Sequence, residues 1–202
     1  MQKELQGEIF LYHLLRRVFQ SEPTREIIGA LQALHLPQEK EPSVHGLMLM
    51  VSSTQQNSSR LDAWLEELAG EFTRVFIGPL KPLVVPYASY YLSQSRQLMT
   101  DETIEVRKRY LEAGMAIKDL YSVPDDHIGI ELEFLYYLAN ESASFLREGL
   151  QAEATRFQTM KTDFITSHMA LWVPQFAEQL AEATHEDFFK GSSLLLNALF
   201  QE

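Results

Sequence analysis

Asp125, Asp126 and His127 stand side by side in the stretch VPDDHIGIELEFLYYLA (residues 123–139), with Glu131 four residues beyond the histidine. Residues four apart share one face of a helix. His127, Glu131 and the adjacent Asp126 therefore form a set of three nitrogen and oxygen ligands of the kind that holds zinc or manganese. A carboxylate beside an imidazole is also an acid–base pair. A metal site needs ligands from other elements, and His168 and His185 lie on segments without clear ligand spacing. The HExxH pattern of zinc hydrolases is absent, and the chain reads Asp-His where helical metal phosphohydrolases read His-Asp. A metal-dependent helical hydrolase using Asp126, His127 and Glu131 is one reading of the cluster.

The same residues also make a good helix start. Proline suits a first turn because its missing N–H would have no partner there. Asp125 and Asp126 could accept from the free N–H groups and oppose the positive end of the dipole. His127 is then a cap-side or partly buried residue. Gly129, in the second turn, costs about 1 kcal/mol against alanine and suggests close approach by another chain or helix.

Two further stretches could contact a ligand. Tyr87, Tyr90 and Tyr91 in PYASYYL follow a proline-rich stretch and suit either core packing or a peptide groove, because tyrosine supplies contact area at low entropic cost. The basic run 107–109 reads as a solvated helix face among Asp101, Glu102 and Glu105. Neither a P-loop nor GxGxxG nor a G-x-S-x-G elbow occurs.

Helical periodicity positions these groups. Leu61, Trp64, Leu65, Leu68, Phe72, Val75 and Phe76 step by three and four along one apolar stripe. A first helix is expected over about 3–20, and a second opened by Pro23 and closed by Pro37. QEKEPS reads as a loop, and SSTQQNSS (52–59) as a loop or a frayed helix end. Prolines 79, 82 and 86 forbid regular helix and mark an extended segment. Helices are expected over the stretch from Asp101, over about 124–148 and 151–171, and after Pro174, with Thr184 and Asp187 capping the last. The expected fold is all-α, with roughly eight to ten helices. The expected division is an N-terminal lobe over 1–77, a proline-rich hinge over 78–92 and a C-terminal lobe over 93–202.

The 202 residues include 17 basic and 28 acidic, a net charge of −11. Such a surface repels phosphate backbones and favours a basic ligand, such as a peptide carrying arginines. No cysteine is present, which excludes disulfides, thiol catalysis and cysteine-ligated metals. The N-terminal stretch lacks the pattern of a signal peptide, and no run approaches a membrane span, so the expected location is the cytoplasm.

Three segments together resemble one family: FTRVFIGPLKPLVVPYASYYL (72–92), PDDHIGIELEFLYYLA (124–139) and FITSHMALWVPQFAEQLAEATHEDFF (164–189). In this order they are similar to the TorD/DmsD family of cytoplasmic chaperones for molybdenum-cofactor oxidoreductases. The resemblance covers about residues 60–200. Val123 stands where an acidic residue is often found, Phe72 where a tryptophan is, and the polar stretch 52–60 has no counterpart.

The resemblance implies binding without turnover. Its ligand would be the twin-arginine signal peptide of the apo-form of a molybdoenzyme catalytic subunit, held for cofactor insertion before export. It implies no catalytic residue, metal or cofactor of the chain's own, no nucleic acid and no stable membrane insertion. The site residues it points to are Pro124, Asp125, Asp126 and His127, with Phe72, Phe76, Gly78, Pro79, Pro86, Tyr87 and Tyr90. A carboxylate in a cleft would pair with a ligand guanidinium, and apolar peptide would lie on Phe76, Tyr87, Tyr90 and Leu135. Asp126→Asn would then weaken binding and leave the melting temperature nearly unchanged. The chain would act as a monomer or, by exchange across the hinge, as a domain-swapped homodimer. A helical adaptor that binds a folded partner is the remaining alternative.

Overall fold

The computed structural model describes residues 2–34, 36, 42–115 and 123–201. Pro37 and most of QEKEPS lie outside the described residues. Ten α-helices account for the described chain: α1 (Gln2–Gln20), α2 (Arg25–Gln32), α3 (Pro42–Gln56), α4 (Leu61–Phe72), α5 (Ala88–Leu92), α6 (Asp101–Glu112), α7 (Ile128–Arg147), α8 (Gln151–Ser167), α9 (Val173–Ala183) and α10 (Asp187–Phe200). The protein is all-α, and its one antiparallel pairing among the described residues is a single bridge between Tyr87 and His127. No helix among those residues is long and apolar enough to cross a membrane.

The chain forms two compact units, each assembled from two stretches: Met1–Gln20 with Tyr87–Trp172, and Ser21–Pro86 with Val173–Glu202. This division differs from sequential lobes. The first helix packs with α7, far along the chain, because its stripe of Tyr12, Leu15 and Val18 is buried and amphipathic stripes join wherever apolar area is removed from water. The chain passes between units at Pro86–Tyr87, inside the expected segment 78–92, whose last five residues are the helix α5.

In the first unit α7 is the central helix. Its Leu132, Leu135 and Leu138 are fully buried, and Phe134 stacks edge-on against Phe164 of α8, with ring centroids 5.0 Å apart. Leu135 is therefore a core residue and offers no surface to a peptide. Gly129 allows the end of α1 to approach. A Cβ there would stand 2.7 Å from Gln20 Cγ, and the Gln20 amide donates to the Gly129 carbonyl at 3.0 Å and to Glu133 at 2.8 Å. The close approach expected from sequence is thus made by the chain's own first helix.

In the second unit the apolar stripe of α4 continues through a π-helical turn over Thr73–Ile77. Trp64 packs edge-on to Phe188, and Phe76 stacks on Phe176. Glu71, at the end of this helix, collects a bidentate Arg74 (2.7 Å twice), the Thr184 hydroxyl (2.9 Å) and the His185 N–H (2.7 Å). Burial pushes its carboxyl up, but these donors outweigh it and hold the group at about 2. The Thr184 hydroxyl donates to Glu71 and also accepts the Glu186 N–H at 3.2 Å, so it stands at the entrance to α10, whose cap position is Glu186 without a side-chain cap bond of its own. The polar stretch after Val51 runs as the end of α3 to Gln56, where Ser53 and Thr54 hydroxyls return to carbonyls one turn back at 2.7 Å, and then as a 3-10 turn over Ser58–Arg60.

Candidate functional site

Residues Pro124–His127 form a turn that precedes α7, so helix formation begins four residues later than the sequence pattern suggests. His127 is the cap: its Nδ1 accepts from the Gly129 N–H at 3.0 Å. Asp125 and Asp126, expected to cap the helix, turn away from it instead. Asp126 is fully buried, accepts the Ser89 N–H on one oxygen at 2.8 Å and the Thr103 hydroxyl on the other at 3.0 Å. Asp125, also fully buried, pairs with the Arg107 guanidinium, and its backbone carbonyl accepts from the Tyr110 hydroxyl at 2.9 Å.

Thr103, Arg107 and Tyr110 are the part that sequence reasoning missed. Their spacing of four and three places them on one face of α6, the signal that could have revealed a shared task. Arg107 belongs to the run read as a solvated face. Arg109 of that run also has partners, donating to Ser167 Oγ at 2.9 Å, while Lys108 is exposed.

The turn meets the other candidate segment directly. Tyr87 bridges to His127, the Ala88 N–H donates to the Asp126 carbonyl at 3.0 Å, and the Tyr87 and His127 rings meet edge-on at 5.2 Å. Tyr87, Tyr90, Pro124 and His127 are half-buried, so this junction shows a partly exposed rim around the buried Asp125 and Asp126, with Arg107 half-buried beside them. The remaining candidates belong to the second unit. Phe72 and Phe76 are buried there, with ring centroids 5.1 Å apart, Pro79 is exposed, Pro86 is buried, and the Gly78 N–H donates to the Thr73 carbonyl at 2.7 Å.

The three ligands of the hydrolase reading do not converge. Glu131 is fully buried in α7 and faces His168 Nε2 at 2.7 Å and the Trp172 N–H at 3.1 Å, while His127 and Asp126 hold the partners named above. Among the described residues no three histidine, aspartate or glutamate side chains are grouped to hold a metal ion. Burial raises the Glu131 carboxyl, opposed by the charge and hydrogen bond of His168. The Tyr110 hydroxyl is raised by burial, with Glu131, Asp125 and Asp126 adding to it.

Burial holds the His127 imidazole down at about 4, against a weaker upward pull from Asp126. The folded state thus favours the neutral ring, whose Nδ1 lone pair is the cap. The stability this contributes is complete above the unfolded value near 6.5 and is lost as pH falls from there towards 4. Between pH 7 and 4.5 the loss is roughly 2–3 kcal/mol from this group. Asparagine caps helices well and does not titrate, so His127→Asn removes this component of the acid lability. Urea unfolding of both proteins at the two pH values measures the difference.

Comparison with known proteins gives a family and several relatives for the chain. Residues 17–178 match the family described as the nitrate reductase delta subunit. The chaperone protein TorD of Vibrio parahaemolyticus is 28% identical over 192 residues, covering 95% of this chain and 86% of that protein. The chaperone protein TorD of Aliivibrio fischeri is 30% identical over 161 residues, 78% of this chain and 70% of that one. A third, from Aliivibrio salmonicida, is 27% identical over 183 residues, with 91% and 82% covered.

Proposed function

This chain belongs to the nitrate reductase delta subunit family, and from that premise we infer that it is a maturation chaperone for a molybdenum-cofactor oxidoreductase. It binds the twin-arginine signal peptide of the apo-form catalytic subunit in the cytoplasm and holds that subunit until cofactor insertion, before export. The observation that carries the reading is the family match over residues 17–178, together with relatives named as chaperones. The chain works by binding and performs no turnover.

The first unit supports this role with a rim and a frame. Tyr87, Tyr90, Pro124 and His127 supply surface for a peptide, and the net charge of −11 draws a cationic one. Asp125 and Asp126 serve from beneath, by fixing the turn, since both carboxylates are buried and bonded to groups of the chain itself. For the second unit, a part in peptide binding for Phe72, Phe76, Gly78, Pro79 and Pro86 is a separate proposal, tested by substitution at the exposed Pro79. The chain acts as a monomer or as a domain-swapped homodimer formed by exchange across the segment 78–92; light scattering separates the two. It engages neither nucleic acid nor the membrane interior.

The test is recovery of partners on tagged protein from its own host grown anaerobically. The expected result is a molybdoenzyme subunit that still carries its twin-arginine leader. Recovery of mature folded proteins alone would favour an adaptor and overturn the chaperone reading.

A further inference from the structure

Arg96 adopts a left-handed backbone conformation, φ 52°, and Met99 does so three residues later, φ 57°. Neither is a glycine, so each carries the cost that the left-handed region imposes on an L-residue. The segment between α5 and α6 is nevertheless closed on itself. The Gln97 N–H donates to Ser93 Oγ at 3.0 Å, and the Ser93 N–H returns to the Ser89 carbonyl at 3.0 Å. The result of this folding is a placement: the Arg96 guanidinium lies over the Tyr90 ring, Cζ 5.5 Å from its centroid, with Nη1 3.4 Å from the phenol oxygen.

We propose that the Tyr90 ring is a guanidinium subsite, occupied in the free protein by Arg96 and taken over by an arginine of the ligand. Arg96 is exposed and Tyr90 half-buried, so the contact lies where a ligand side chain can compete for it. An exposed cation–π contact is weak, so the resident arginine is held lightly and a ligand guanidinium displaces it at little cost. Preference over an ammonium also follows. A guanidinium is weakly hydrated and carries five donors, so it can rest beside the ring while one N–H reaches the phenol oxygen, whereas an ammonium is a compact, strongly hydrated point charge. The identity of the ligand as an arginine-bearing leader rests on the chaperone reading, but the subsite itself does not.

The experiment uses a probe independent of any client: N-acetyl-Arg-Arg-amide, with N-acetyl-Lys-Lys-amide as its equal in charge. Both are titrated into the full chain and into Arg96→Ala, and the ring protons of Tyr90 are followed by NMR, assigned from Tyr90→Leu. The expected result is a Tyr90 shift in Arg96→Ala at concentrations 2–5-fold below those the unaltered chain requires, an advantage of the size an exposed cation–π contact confers. The lysine probe should show no such gain. Equal gains for both probes would reduce the effect to the loss of one positive charge. No Tyr90 shift with the arginine probe in Arg96→Ala would also overturn the subsite. If preprotein binds but the probe leaves Tyr90 untouched, the chaperone reading stands and the subsite falls; the reverse pattern keeps the subsite and removes the leader as its ligand.

Discussion

Gly191→Ala unfolds the protein at markedly lower denaturant, with a loss of about 3–4 kcal/mol, among the largest expected of any single methyl added to this chain. The reason lies where α3 crosses α10. A Cβ at Gly191 would stand 2.6 Å from the Gly46 carbonyl oxygen and 2.9 Å from the Met50 nitrogen, and one at Gly46 would stand 2.7 Å from the Gly191 oxygen and the Leu195 nitrogen. Those neighbours are backbone atoms of two packed helices, so no side chain can swing aside and the helices themselves must part. Parting them opens the layer around Leu195, Leu196 and Met50, all fully buried, and voids in a close-packed core cost stability in proportion to their size. Alanine would favour each helix in isolation by about 1 kcal/mol, so the tertiary clash outweighs a gain of the opposite sign. Urea unfolding of Gly46→Ala, Gly191→Ala and the double variant checks the account. Because both methyls widen the same crossing, the double variant should lose less than the sum. A loss under 1 kcal/mol in either single variant would contradict it.

That crossing also shows what can and cannot be read from the chain alone. The all-α class and the number of helices were legible, because apolar residues at three- and four-residue steps report a helix without reference to any partner. Glycines 46 and 191 carry no such local signal. Each reads as a weak helix position, and only the pairing of α3 with α10 explains both. The division into units was hidden for the same reason: α1 looks like the start of an N-terminal lobe until its stripe is seen against α7. At the candidate site, adjacency was legible and orientation was not. The motif 124–127 and the tyrosines after Pro86 were singled out, and the structure joins Tyr87 to His127. Which way two neighbouring aspartates point depends on where α6 lies, and nothing within the motif encodes that. The face Thr103, Arg107, Tyr110 could have been found by spacing, but surrounding acidic residues made its arginine look like ordinary surface charge.

Orientation changes what substitution at Asp126 should do. A carboxylate waiting at a cleft for a ligand could lose its charge with little effect on folding, and the sequence suggested that outcome for Asp126→Asn. The structure instead makes Asp126 the knot of three elements. Its two oxygens hold the start of α5 through the Ser89 N–H and α6 through Thr103, and its own carbonyl takes the Ala88 N–H. Removing the side chain leaves a buried backbone N–H and a buried hydroxyl without partners, and each such group costs about 1–3 kcal/mol. Asp126→Ala is therefore expected to lose about 4 kcal/mol, and Asp126→Asn less, because its amide oxygen can still accept from Ser89 while the Thr103 hydroxyl can turn to accept from its nitrogen. Both variants should weaken peptide binding, because Tyr87 and the turn that carries His127 are set by these bonds. The order of effects is the discriminating result: chemical denaturation and peptide titration should rank Ala above Asn in both losses together. A variant that lost binding with full stability would mean that the carboxylate reaches the ligand itself, and that the turn opens to let it do so.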